Sequence, residues 1–151
     1  MSTGAWIAVA AVVLAVGVGL WRLATDGRFR GTHAVRRPAE DVAAEATDVP
    51  AGAELVAAVG GTLGERATLV QFSSAFCAPC RATRRVLGEV VGLVDGVTHV
   101  EIDAEHHLDA TRAFGILRTP TTVVLDGAGQ EVTRATGAPT RAQVLSALGT
   151  V

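Results

Sequence analysis

The sequence predicts an α/β domain, a mixed β-sheet covered by helices on both faces, carried behind an N-terminal transmembrane helix. Three observations point there: an uncharged run from Ala5 to Trp21, β-branched strand runs alternating with helical periodicity from Thr68 onward, and a closing strand-turn-strand followed by a last helix. A length of 151 residues accommodates one domain with a short appendage, not two full cores. With 49% hydrophobic residues and a mean hydropathy of +0.38, wholesale disorder is excluded. All 13 basic residues are arginine and 15 acids offset them, so at a net charge of -2 the chain has no basic field to attract nucleic acid.

Residues 5–21, AWIAVAAVVLAVGVGLW, span about 26 Å as a helix at ~1.5 Å per residue, just enough to cross a bilayer. Trp6 and Trp21 bracket the run at headgroup depth. A cleaved signal peptide wants a basic residue before the run and small residues after it, whereas MSTGA carries no side-chain charge and Trp21-Arg22-Leu23 follows. A buried core helix wants one polar face, which the run lacks. The reading is a retained single-pass anchor over residues 1–24, contacting the membrane through residues 5–21.

Beyond the anchor the charge changes sign. Residues 22–37 hold five arginines against Asp26, a net of +4, and residues 38–65 hold six acids and no base, with Pro38 and Pro50 among many alanines. From Arg66 onward eight arginines meet eight acids. The expectation is a basic then acidic flexible linker over residues 25–60 and a globular domain over 61–151.

Within the domain, Thr68-Leu69-Val70-Gln71-Phe72 reads as a buried strand after the turn-forming Gly60, Gly61 and Gly64. Val86, Leu87, Val90, Val91 and Val94 give a helix one apolar face, with Cys77 at its start. Thr98, Val100 and Ile102 alternate with polar residues in a second strand, and residues 104–114 make a helix. Residues 121–125 and 131–136 form two strands around the turn at 126–129. Thr140 caps a final helix that turns Val144, Leu145 and Leu148 inward.

Cys77 and Cys80 are the only cysteines, so any cysteine chemistry belongs to this pair. In Phe76-Cys77-Ala78-Pro79-Cys80, the first thiol falls at a helix N-terminus, where free N–H groups and the positive dipole end favour the thiolate. Cys80, one turn along, is placed to resolve a mixed disulfide formed on Cys77. A metal half-site and an inert pair of core thiols are the alternatives. No metal site is expected, because the adjacent His106 and His107 lack the spacing of zinc ligands.

With these residues in place, positions 66–149 resemble the thioredoxin family, and within it the membrane-anchored bacterial thioredoxin-like proteins. The likeness rests on the strand Leu69 to Phe72, the Cys77-Ala78-Pro79-Cys80 helix start, Thr119-Pro120 before the next-to-last strand, and Gly137 before the final helix. It implies a thioredoxin-like three-layer sandwich, with no organic cofactor or metal. It further implies a cis peptide before Pro120, which packs beside the disulfide and leaves the Thr119 backbone free to pair with an extended substrate. The departures are Phe76 for the family's tryptophan, Ala78 for its glycine, and Gln71 where thioredoxins bury an aspartate. Gln71 cannot take a proton from Cys80, so redox-linked proton uptake near neutrality is expected to be missing. His99, in the place of the accompanying lysine, is a candidate relay.

The expected function is a membrane-tethered thiol-disulfide oxidoreductase that reduces protein disulfides, supplied by an unidentified electron donor. Alternatives are an extracytoplasmic oxidant or cytochrome-maturation reductase, and a non-catalytic thioredoxin-like adaptor, which would not need both cysteines. Five arginines after the anchor and no basic side chain before it place the domain in the cytoplasm by charge bias, with an extracytoplasmic placement the alternative.

Overall fold

The computed structural model describes residues 3–31 and 50–151. Its elements run α1 (Thr3–Thr25), β1 (Phe29–Gly31), α2 (Ala51–Ala58), β2 (Ala67–Ser73), α3 (Ala78–Val91), β3 (Val97–Asp103), α4 (Leu108–Ala113), β4 (Thr121–Asp126), β5 (Glu131–Thr136) and α5 (Arg141–Leu148).

Five strands form one sheet in the order β1-β5-β4-β2-β3. Only β2 and β3 are parallel; the other pairs are antiparallel. Every residue of β2 is buried, as a strand flanked on both edges and covered on both faces must be, which is why it reads as an unbroken apolar run. Its side chains alternate between two cores. Leu69 packs with Leu87 and Val90 of α3 and with Val144 and Leu148 of α5, whereas Val70 and Phe72 pack with Leu55 and Val56 of α2 and with Val123 and Leu125 of β4. Helix, sheet and helix thus make the three-layer sandwich that the sequence leads one to expect.

α1 is a 23-residue helix, about 35 Å long at ~1.5 Å per residue, and the stretch from Gly4 to Arg22 is not buried by the rest of the chain. It is long and apolar enough to cross a membrane, a property it shares with N-terminal signal sequences.

The structure corrects the linker at both ends. Phe29–Gly31 pairs with Thr133–Ala135 of β5, and α2 buries Leu55 and Val56, so neither end of residues 25–60 is a free tether; residues 32–49 lie outside the described residues. Two smaller corrections concern helices. α4 starts later than residue 104 because Asp103 Oδ1 accepts the Glu105 N–H at 2.8 Å and holds a turn there. In α5, Leu145 is exposed and Ala147 takes the inward place between Val144 and Leu148. The Thr140 cap forms as a capping box with Gln143.

Candidate active site

β2 delivers the site. Its last residue, Ser73, leads through Ser74, Ala75 and Phe76 to Cys77, the N-cap of α3. Pro79 sits in the first turn, where a missing N–H costs nothing. Cys77 and Cys80 form a disulfide with their Cα atoms 5.2 Å apart. The two sulfurs differ in surroundings: Cys80 is buried, while Cys77 is partly open and its Sγ accepts the Cys80 N–H at 3.1 Å. That bond and the helix dipole both favour negative charge on Cys77 once the disulfide is reduced.

An apolar, accessible rim lies outside the disulfide. Phe76 is 100% exposed, and Ala78 and Pro79 are exposed as well, while Leu117, 98% exposed, lies two residues before Thr119 on the neighbouring loop. Beyond them, the Thr119–Pro120 peptide is cis, Pro120 is buried, and Ser74 Oγ lies 3.0 Å from Thr119 Oγ1. This contact joins the cysteine loop to the cis-proline loop.

Beneath the disulfide the surroundings are polar. Gln71 is fully buried on the α3 side of β2; its Nε2 donates to Ser73 Oγ at 2.7 Å and to the Cys80 carbonyl at 3.0 Å, and its Oε1 has no partner. Gln71 pairs across the strands with Glu101, whose carboxylate takes a hydrogen bond from Ser73 and an ion pair from Arg84 on α3 at 2.5 Å. Burial raises the Glu101 pKa, but the bonds from Arg84 and Ser73 outweigh it and hold the group below the usual carboxylate range. A chain of contacts therefore runs from the Cys80 carbonyl through Gln71 and Ser73 to Glu101 and Arg84. Sequence reasoning missed Leu117 on the outer side and Ser73, Glu101 and Arg84 on the inner side. The available signal was spacing, since Glu101 follows His99 by two residues and so shares its face of β3.

His99 occupies that face opposite Leu69, with Nε2 buried and unpaired. Burial lowers its pKa, Glu101 raises it, and Arg84 lowers it further, so the ring is neutral at neutral pH. Among the described residues, no group of three or more His, Cys, Asp or Glu is arranged to hold a metal ion.

A three-layer sheet with a cysteine pair at a helix N-terminus beside a cis-proline defines a protein of thiol-disulfide exchange. The thioredoxin family model matches residues 57–150. A thioredoxin from Alicyclobacillus acidocaldarius subsp. acidocaldarius is 32% identical over 89 residues, which cover 58% of this chain and 84% of the relative. Among solved structures, chloroplastic thioredoxin z superposes with a TM-score of 0.54 at 26% identity, covering 68% of this chain and 89% of its own. A mutant thioredoxin from Halobacterium salinarum gives 0.55 at 19% identity, over 68% of this chain and 86% of its own, a likeness of fold alone. The chain belongs to the thioredoxin family, and its activity is that of a thiol-disulfide oxidoreductase.

Proposed function

We propose that the chain is a membrane-tethered reductase of protein disulfides, with Cys77 as the attacking thiol and Cys80 as the resolving one. The observation that carries this is the asymmetry of the pair: a partly open sulfur that accepts a helix N–H, beside a buried one. In the reduced protein the Cys77 thiolate attacks a substrate disulfide and expels one substrate thiolate. Cys80, deprotonated in turn, attacks the Cys77 sulfur, closes the internal disulfide and releases the second substrate thiolate. Two electrons pass to the substrate, and a dithiol donor restores the pair. Phe76, Ala78, Pro79 and Leu117 offer the substrate an apolar contact, and the Thr119 backbone beside Pro120 pairs with its extended chain. Gln71 holds the Cys80 turn in place without itself titrating, and His99, neutral at neutral pH beside the Glu101-Arg84 pair, is the candidate proton relay.

α1 is taken as a span, with the domain on the cytoplasmic side, because Arg22, Arg28, Arg30, Arg36 and Arg37 follow it. A cytoplasmic dithiol pool then favours reduction. The full chain in detergent is expected to reduce insulin disulfides with dithiothreitol as donor; no turnover would favour the adaptor reading. An alkaline phosphatase fused after Val151 is expected to be inactive, and strong phosphatase activity would favour the extracytoplasmic alternative.

A further inference from the structure

The register of the sheet decides which end of the domain meets α1. The disulfide loop leaves the C-terminal end of β2, where Phe72 pairs with Thr121, the residue after cis-Pro120. Thr121 pairs with Thr136 at the end of β5, and the neighbouring Ala135 pairs with Phe29 at the start of β1. These four strand ends share one edge of the sheet. α1 ends at Thr25, just before β1 begins at Phe29, so it enters the fold at the edge that carries the cysteines. Three strand spacings separate β2 from β1, about 14 Å at ~4.8 Å each.

The junction between helix and domain is fastened at several points. Asp26 N–H closes the last helical turn on the Arg22 carbonyl at 2.9 Å, and Gly27, at φ +73, turns the chain into the sheet with its N–H on the Thr136 carbonyl at 2.8 Å. A Cβ on Gly27 would run into the Ala138 carbonyl, so only glycine fits this turn. The Asp26 carboxylate pairs with Arg118 at 2.6 Å, and Arg118 directly precedes the Thr119–Pro120 cis bond. Gly137 donates its N–H to the Pro120 carbonyl at 2.8 Å, and a Cβ on it would lie 2.6 Å from the Asp26 carboxylate. The turn that ends α1 and the loop that holds the cis-proline thus belong to one packed cluster.

We infer that the redox centre is held facing the membrane surface from which α1 emerges, and that its partner is an integral membrane protein presenting a cysteine pair at that surface. The inference rests on the reading of α1 as a membrane span. A flexible tether would let the domain turn its cysteines to any soluble substrate. The Asp26–Arg118 and Gly27–Thr136 contacts instead fix the cysteine edge toward the bilayer, where a membrane-embedded partner keeps its own cysteines at matching height. Exposed Phe76 and Leu117 supply apolar contact at this edge, bordered by polar Ser74, Thr119 and Arg118, a mixture suited to a protein surface more than to lipid. The reaction is two-electron exchange. Cys77 displaces one thiolate from the partner's disulfide and Cys80 displaces the other while closing the Cys77–Cys80 bond. One proton comes from Cys80 and one from water to leave two partner thiols.

The full chain in phosphatidylcholine vesicles provides the test. Bimane is attached to Cys77 in Cys80→Ser, or to the β4–β5 turn in Cys77→Ser/Cys80→Ser/Ala128→Cys, and headgroup nitroxides act as quenchers. Quenching at Cys77 is expected to exceed that at position 128 several-fold, and a 15-residue Gly-Ser insertion between Thr25 and Asp26 is expected to abolish the difference. Equal or reversed quenching in protein that floats with the vesicles overturns the orientation and leaves the tether standing; failure to float overturns both. For the partner, the reduced wild-type chain is given transmembrane peptides whose disulfide loop lies 5 or 30 residues from the bilayer. A roughly tenfold preference for the near loop, lost on Gly-Ser insertion, is expected from effective concentration. Equal single-turnover rates would overturn the membrane partner.

Discussion

The two sides of the Cys77–Cys80 disulfide are built from opposite materials. Phe76, Ala78, Pro79 and Leu117 on the outer side are apolar and exposed, whereas Gln71, Ser73 and Glu101 on the inner side are polar, hydrogen-bonded and buried or half-buried. A surface that leaves large apolar groups in water is shaped for a partner, and a buried polar chain holds its geometry because each lost hydrogen bond costs about 1 to 3 kcal/mol. On the proposed reading, the outer side governs which disulfide is met, and the inner side governs how the second thiol behaves once it is met.

Separating the two cysteines breaks this comparison most severely. Cys77→Ser should reduce insulin-disulfide turnover to background and trap no substrate, while Cys80→Ser should accumulate mixed disulfides visible on non-reducing gels. Changes confined to the outer rim should act on substrate contact alone. The double variant Phe76→Ser/Leu117→Ser is expected to raise KM for protein disulfides about tenfold with kcat unchanged, the scale of losing an interface contact worth over 1 kcal/mol. A drop in kcat at constant KM would put these side chains in the chemistry instead.

On the inner side, Gln71→Asp places a carboxyl in a fully buried position, where desolvation raises its pKa. The exchange rate should then gain a second, carboxyl-dependent titration near neutrality beside that of the Cys77 thiol. A carboxylate-like titration already present in the wild type and unchanged by the substitution would show that another acid, with Glu101 the nearest, already serves.

The smallest effect concerns His99. Its folded-state pKa lies below the ordinary 6.5, so as pH falls through 6.5 the unfolded chain takes up the proton first. Stability is therefore fully present above pH 6.5 and declines from there toward the lower folded value. His99→Gln should flatten this decline, read as urea midpoints at pH 7.5 and 5.0. The contribution of Glu101, whose folded pKa is depressed from 4.5, is lost at more acid pH and does not overlap the upper part of this window.

The outer side was largely legible in the sequence, because Phe76 to Cys80 are consecutive and Thr119-Pro120 is a dipeptide. The inner side was legible only at Gln71. Ser73 and Glu101 come together through the parallel register of β2 and β3, and Arg84 reaches them from α3, contacts between segments that no local pattern encodes. The same limit explains the linker reading. β1 has three residues, too few for periodicity, and owes its strand to pairing with β5. α2 has only Leu55 and Val56 as buried large apolar residues and lies in an acidic, alanine-rich stretch whose composition resembles a tether. Leu145 and Ala147 differ from expectation because side-chain size does not indicate which side of a short helix meets the sheet.

The central claim, that an open, charge-stabilised Cys77 attacks and a buried Cys80 resolves, is tested most directly by alkylating the reduced protein with iodoacetamide from pH 5 to 9 and mapping each site by mass. The account predicts that Cys77 reacts first, with a thiolate titration below the ordinary value of about 8.5, while Cys80 stays protected until the protein unfolds. Preferential modification of Cys80 in the folded protein would contradict it.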